Sequence, residues 1–125
     1  MGSSLRGRRI AIAVADGALR GTLRRILERE GARIYASATG EEILENAPSF
    51  DPHLCIIDVD LPDRRAEEVL DRIRASWPSL PVVLVSAHLL PGDAPIRRDL
   101  PTLPLPFTRA QLLDLLVRVL VKPDP

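Results

Sequence analysis

Leu54-Cys-Ile-Ile-Asp58-Val-Asp60-Leu-Pro-Asp63 is the stretch on which the reading of this chain turns. Its first four residues are uniformly apolar, too few for a helix, and suited to a strand covered on both faces of a parallel sheet. The run delivers Asp58 to the C-terminal end of that strand, and Asp60 and Asp63 follow in the same loop. In open α/β sheets this edge carries the ligand chemistry. Asp63 reads as a helix N-cap or a solvated loop residue, since a helical segment follows it. An aspartate closing a buried strand is less easily explained by solvation, so Asp58 is the leading candidate for chemistry.

Outward from this stretch, short apolar runs alternate with amphipathic segments. The runs are Ile10–Val14, Ala32–Ala36, Leu54–Val59 and Val82–Val85. Between the first two lies a stripe of Leu19, Leu23, Ile26 and Leu27, closed by Gly31, a natural residue just past a helix end. Thr39-Gly-Glu-Glu42 reads as a capping box opening a helix to about Ala47. Val69, Leu70 and Ile73 mark a third helix ending near Trp77-Pro78. Thr108-Arg-Ala-Gln111 caps a final helix carrying Leu112, Leu115, Leu116, Val119 and Leu120. This cadence predicts a single doubly wound five-stranded parallel sheet with helices on both faces. Five prolines between Ala87 and Pro106 allow only a short or irregular fourth helix, around Pro95 to Leu100, ahead of a short fifth strand.

Composition narrows the function classes. The chain has 125 residues, 46% hydrophobic and only 3% aromatic, enough for one aliphatic core. Seventeen basic and seventeen acidic side chains cancel, which argues against nucleic acid or an anionic membrane as partner. No apolar run approaches the roughly 20 residues of a membrane span. The basic start, Met1 to Arg9, lacks the apolar stretch of a secretory signal, so a soluble, cytoplasmic chain is expected. Cys55 is the only cysteine and reads as a small core residue. His53 and His88 have no second ligand at metal spacing. Arg97-Arg98-Asp99 reads as a solvated turn. There is no glycine-rich phosphate loop and no nucleophile elbow. A flavodoxin-like cofactor binder on the same architecture would need a phosphate cradle and stacking aromatics that the chain lacks.

The run LCIIDVDLPD resembles the phosphoacceptor segment of response-regulator (CheY-like) receiver domains, in which an aspartate ends the third strand and a Leu/Met-Pro pair follows. The stretch ALRGTLRRILEREGARIYASATGEEIL resembles that family's first helix, second strand and second helix. LPVVLVSAH resembles its fourth strand with the Ser/Thr-Ala switch pair, here Ser86-Ala87, and PLPFTRAQLLDLL its fifth strand and last helix. The resemblance covers Arg8 to about Leu120 and implies the strand order 2-1-3-4-5. The expected organisation is a flexible N-terminus over 1–8, the receiver-like domain over 9–122 and a tail over 123–125. It further implies a carboxylate, Asp58, that takes a phosphoryl group with magnesium bridging nearby acids, and a local charge change that partners read.

Several positions depart from that pattern. Val14 and Ala15 stand where the family's acidic pair should end the first strand, and Asp16 follows one residue late. Leu105 replaces the lysine, Thr102 the aromatic switch residue, and Ala66 the glycine after the phosphoacceptor loop. Only Asp58, Asp16 and the backbone carbonyl of Asp60 remain for magnesium, which is usually held by one or two carboxylates plus phosphate. Loss of the lysine removes a charge-assisted hydrogen bond of roughly 1.5–3 kcal/mol. The expectation is a degenerate receiver (pseudo-receiver) in two-component phosphorelay signalling that acts by protein–protein interaction and is no enzyme. The alternative is a working response regulator phosphorylated on Asp58, with Mg2+ held by Asp58 and Asp16. Such a domain at most catalyses its own phosphorylation and dephosphorylation. The resemblance implies a histidine kinase, a phosphotransfer protein or an output protein as partner, and a homodimer through the fifth strand and last helix. No output module is expected after that helix, which ends at Lys122-Pro-Asp-Pro125, whether the chain is a stand-alone receiver or a piece cut from a longer protein.

Overall fold

The computed structural model describes residues 5–63, 66–86 and 100–120. In chain order the elements are β1 (Arg9–Ala13), α1 (Gly17–Arg29), β2 (Arg33–Ser37), α2 (Gly40–Phe50), β3 (Leu54–Asp58), α3 (Ala66–Ser76), β4 (Val82–Ser86), β5 (Thr102–Pro104) and α4 (Arg109–Leu120). The five strands form one parallel sheet in the order β2-β1-β3-β4-β5, as expected. The irregular helix expected around Pro95 to Leu100 lies outside the described residues, apart from Leu100, which is buried.

Alternation along the strands builds two cores. Ile10, Ile12, Leu54, Ile56, Val83 and Val85 face α1 and α4, meeting Leu23, Leu27, Leu112 and Leu116. Ala11, Ala13, Cys55, Ile57 and Leu84 face α2 and α3, meeting Ile43, Ala47, Val69, Leu70 and Ile73. Both faces of β3 and β4 are buried throughout, which is why their sequences read as unbroken apolar runs. Burying each Leu, Ile or Val contributes about 1.5–3 kcal/mol. Burial in this core pushes the Cys55 thiol up to about 12, so it packs as a hydrophobe.

The helix ends largely follow the capping signals. The Gln111 N–H donates to Thr108 Oγ1 at 3.0 Å, and the Thr108 N–H to Gln111 Oε1 at 2.8 Å, a reciprocal box. At α2 the Glu42 N–H donates to Thr39 Oγ1 at 3.1 Å, but the Glu42 carboxylate takes the Thr39 hydroxyl proton. α2 also runs past Ala47 to Phe50. Pro48 lacks an N–H, yet the last turn closes through Asp51 N–H to the Ala47 carbonyl at 2.8 Å. Gly31 has φ +89°, as its place after α1 requires.

Residues 5–8, within the stretch expected as a flexible N-terminus, form a packed turn. Leu5 is fully buried, its carbonyl accepts from the Arg8 N–H at 3.0 Å, and the Gly7 N–H donates to the Gly31 carbonyl at 2.9 Å. Burying one large aliphatic side chain, plus these bonds, is enough to order a short segment against the helix end.

Candidate functional site

β3 places Asp58 beside Val85 of β4, the residue only 8% exposed. Two backbone amides from different loops hold it. The Ala15 N–H, in the β1–α1 loop, donates to Oδ2 at 3.3 Å, and the Asp60 N–H donates to Oδ1 at 2.9 Å. The carboxylate therefore ties the loop after β1 to the loop after β3. Hydrogen bonds of this charge-assisted kind contribute roughly 1.5–3 kcal/mol each when well buried.

A cavity of about 230 Å³ opens at this edge, lined by Ala15, Asp16, Leu19, Asp58, Asp60, Val85, Ser86 and Leu105. The sequence reading thus named most of its wall. Ser86 ends β4 and is buried. Leu105 sits on the wall where the family resemblance implies a lysine, and contributes only apolar surface. Asp16 shares the cavity, but its Oδ1 already caps α1, accepting from the N–H groups of Ala18 and Leu19 at 2.8 and 3.1 Å. Val14 turns into the α1–α4 core and is fully buried. Thr102 does not line this cavity; it borders another, of about 220 Å³, with Leu103, Pro104 and Gln111.

Two contacts were not foreseen. Arg20, one turn into α1, folds back so that its Nη1 donates to the carbonyls of Val14 at 2.8 Å and Ala15 at 3.2 Å. It braces the loop whose amide holds Asp58. The only advance signal was its position four residues after the Asp16 cap. Asp63 reaches away from the cavity: its two oxygens accept from the N–H groups of Gly40 and Glu41, each at 2.9 Å. It caps α2, an element the sequence reading had not connected with it.

The donor set does not fit the magnesium ion that the fold implies. Two of the expected acids are the valine and alanine at 14 and 15, Asp16 is engaged by its own helix, and both Asp58 oxygens accept amide protons. Magnesium demands near-octahedral oxygen coordination with one or two carboxylates at its centre. Among the described residues no group of three or more His, Cys, Asp or Glu side chains is arranged to hold a metal. His53, considered as a ligand, instead accepts the Arg9 N–H on Nδ1 at 2.9 Å.

Comparison with known proteins bears on the family and the fold. The family model described as the response regulator receiver domain matches residues 10–94. The DNA-binding transcriptional regulator NtrC of Rhizobium meliloti is 29% identical over 120 residues, covering 94% of this chain and 25% of that protein. The KDP operon transcriptional regulatory protein KdpE of Escherichia coli is 33% identical over 84 residues, covering 67% of this chain and 37% of that protein. The chain thus spans between a quarter and two fifths of the length of these two relatives. A CheY-like receiver domain from Methanospirillum hungatei superposes with a TM-score of 0.79 at 24% identity, covering 91% of this chain and 94% of that one. The receiver domain of the sensor histidine kinase PA1611 of Pseudomonas aeruginosa, solved with magnesium in its active-site cleft, gives 0.78 at 23%, covering 91% and 98%. Both likenesses speak to the fold. Among the described residues no helix is long and apolar enough to cross a membrane.

Proposed function

Because the chain belongs to the response regulator receiver domain family, we propose that it is a degenerate receiver of two-component signalling that works by docking proteins without phosphorylation of Asp58. The observation that carries this reading is the state of the Asp58 carboxylate. Both oxygens accept backbone amides, and the positions where the family resemblance implies magnesium-holding acids and a lysine are the apolar Val14, Ala15 and Leu105. A phosphoryl group there would add about two negative charges at neutral pH to a nearly buried site with no cationic side chain among the described residues that line it. Asp58 is instead a tie between two loops, and the surface those loops present is held in one arrangement. The domain transfers no group; it offers that surface, in the cytoplasm, to a histidine kinase, a phosphotransfer protein or an output protein. Its contacts are with proteins and involve neither nucleic acid nor membrane.

Amide NMR spectra recorded with magnesium, before and after addition of beryllofluoride, test the proposal. Beryllofluoride mimics a phosphoryl group on aspartate. The expected spectra do not change at Asp58, Asp16 or Ser86. Shifts centred on those residues and spreading to α4 would overturn the proposal in favour of a working receiver with Asp16 recruited to the metal. In parallel, Asp58→Asn keeps one of the two amide acceptors and removes the phosphoacceptor. It should leave partner binding within about twofold of the parent, a change of under roughly 0.5 kcal/mol.

A further inference from the structure

The zero net charge conceals a strong segregation along the chain. Residues 5–37 carry eight arginines against three carboxylates, whereas residues 38–63 carry seven carboxylates and no lysine or arginine. The fold gathers arginines of the first segment at one end of the sheet and carboxylates of α2 from the second at the other. At the N-terminal ends of the strands, the turn over residues 5–8 packs on the turn after α1. Arg6 lies against Gly31, and the Arg33 N–H donates to the Arg8 carbonyl at 2.8 Å. That brings Arg6, Arg8 and Arg33 together beside Arg29 in the last turn of α1, with Arg25 one turn earlier. The neighbouring acids are taken: Glu30 pairs with Arg109, Glu28 with Arg24, and Asp51 with Arg9. Among the described residues, none of those five arginines forms an ion pair.

At the other end, α2 starts where β2 finishes and exposes Glu42 and Glu45 in its first half. Neither pairs with a cation among the described residues. A titrating neighbour at each end registers the field. The Tyr35 phenol is raised first by burial, against its Asn46 bond, and then further by Glu42 and Glu45. The His53 imidazole is lowered by burial and then by Arg9 and Arg8. A five-residue strand separates the two ends by roughly 15 Å, so both patches cannot be neutralised within one copy.

We propose that the arginine corner formed by Arg6, Arg8, Arg29 and Arg33 docks on the Glu42/Glu45 face of α2 in a second copy of the chain. The contact is head-to-tail and heterologous, using a different patch on each copy, and it adds further copies unless the rotation closes a ring. Guanidinium groups suit it because their planar forks meet carboxylates in bidentate pairs. Among the described residues the corner's exposed side chains are arginines, so the association is governed by charge and is strongly salt-dependent. It is independent of Asp58 and of any phosphorylation.

Sedimentation velocity on the full chain, with rising concentration, tests this at about 20 mM and about 500 mM salt, where screening lengths are roughly 20 and 4 Å. Concentration-dependent growth at low salt that disappears at high salt is expected. Arg29→Glu with Arg33→Glu should weaken association at least about tenfold, and so should Glu42→Arg with Glu45→Arg, each about 1.4 kcal/mol or more. Mixing the two charge-reversed proteins should restore association, because each retains the patch the other needs. The milder pair Arg29→Gln with Arg33→Gln should fall between, and unchanged far-UV circular dichroism shows that folding is intact. A protein that stays monomeric at low salt overturns the proposal. So does association that is salt-resistant, or a mixture that fails to recover, as an edge-strand dimer or a nucleic-acid surface would give.

Discussion

Asp63, at the far end of the loop that leaves β3, accepts the amide proton of Gly40 at 2.9 Å although the two lie 23 residues apart. Its second oxygen takes the Glu41 N–H at the same distance. One carboxylate therefore satisfies two of the orphan donors at the start of α2 and sits on the positive end of that helix. Together with the bonds made by Asp58, it fixes the β3–α3 loop at both ends, toward β1 through Ala15 and toward α2 through Gly40. Asp63→Ala should lower stability by about 1 kcal/mol and at most roughly 2, while Asp63→Asn, which keeps one acceptor, should lose less. Urea unfolding midpoints measure this directly, and an unchanged midpoint in the alanine variant would remove the cap from the account.

Gly31 gives a second test, because two separate effects meet there. Its φ of +89° is left-handed, and an added Cβ would lie 3.2 Å from Arg6 Cα, a backbone atom that cannot swing aside. Gly7 has a comparable φ of +76° but open space around the added carbon. Both Gly→Ala changes carry the left-handed cost of roughly 1–2 kcal/mol. Only Gly31→Ala also crowds the first turn, whose backbone at Arg6 must give by a few tenths of an ångström. Gly31→Ala should therefore be the more destabilised of the two in thermal unfolding, and should show faster amide exchange at Gly7 and Arg8. Equal losses would mean that the first turn contributes nothing.

What could be read in advance follows from how local each determinant is. β3 and β4 announced themselves because a strand buried on both faces must be apolar at every position, and Asp58 stood out as the charge ending such a run. The Thr108–Gln111 box was legible because both of its bonds lie within one turn. Asp63 looked like a cap, and it is one, but the helix it serves could not be named from spacing alone. Arg20 was hidden for a similar reason. On a helical stripe it reads as solvated charge, and only the folded β1–α1 loop supplies the carbonyls it holds. Leu5 was missed because a single apolar residue among Gly, Ser and Arg carries no periodicity.

His53 should impose a pH dependence on stability. In the folded chain its Nδ1 accepts the Arg9 N–H, which requires a neutral ring. Burial first, then Arg9 and Arg8, lower its affinity for a proton, against a smaller opposing pull from Asp51. The unfolded chain, with an ordinary value near 6.5, binds the proton more readily. This stabilising contribution is thus complete above the ordinary value and is lost as pH falls through the depressed folded value. His53→Asn places an oxygen near the Nδ1 position and does not titrate. The stability difference between parent and variant, followed by urea unfolding from pH 8 to about 5, should favour the parent less as pH falls. A difference that stays flat would show that the ring carries its proton in both states alike.

Thr102 occupies the position where the family resemblance implies an aromatic switch residue, and its hydroxyl is an anomaly. Oγ1 is buried and has no hydrogen-bond partner among the described residues, on a strand whose neighbour Leu103 is core. A buried polar group without a partner costs about 1–3 kcal/mol relative to a satisfied or apolar one. The backbone would lose nothing on substitution, since the Leu84 N–H bonds the Pro101 carbonyl rather than any Thr102 side-chain atom. Valine has nearly the same shape as threonine and suits a parallel strand. Thr102→Val should therefore raise stability by about 1 kcal/mol, which for a domain of this size is a gain of several degrees in melting temperature. Thr102→Ser keeps the hydroxyl and removes the methyl, so it should fall below the parent. The order Val above Thr above Ser in thermal unfolding is expected. A destabilised valine variant would show instead that the hydroxyl has a partner in solution, and that β5 is held by a polar contact.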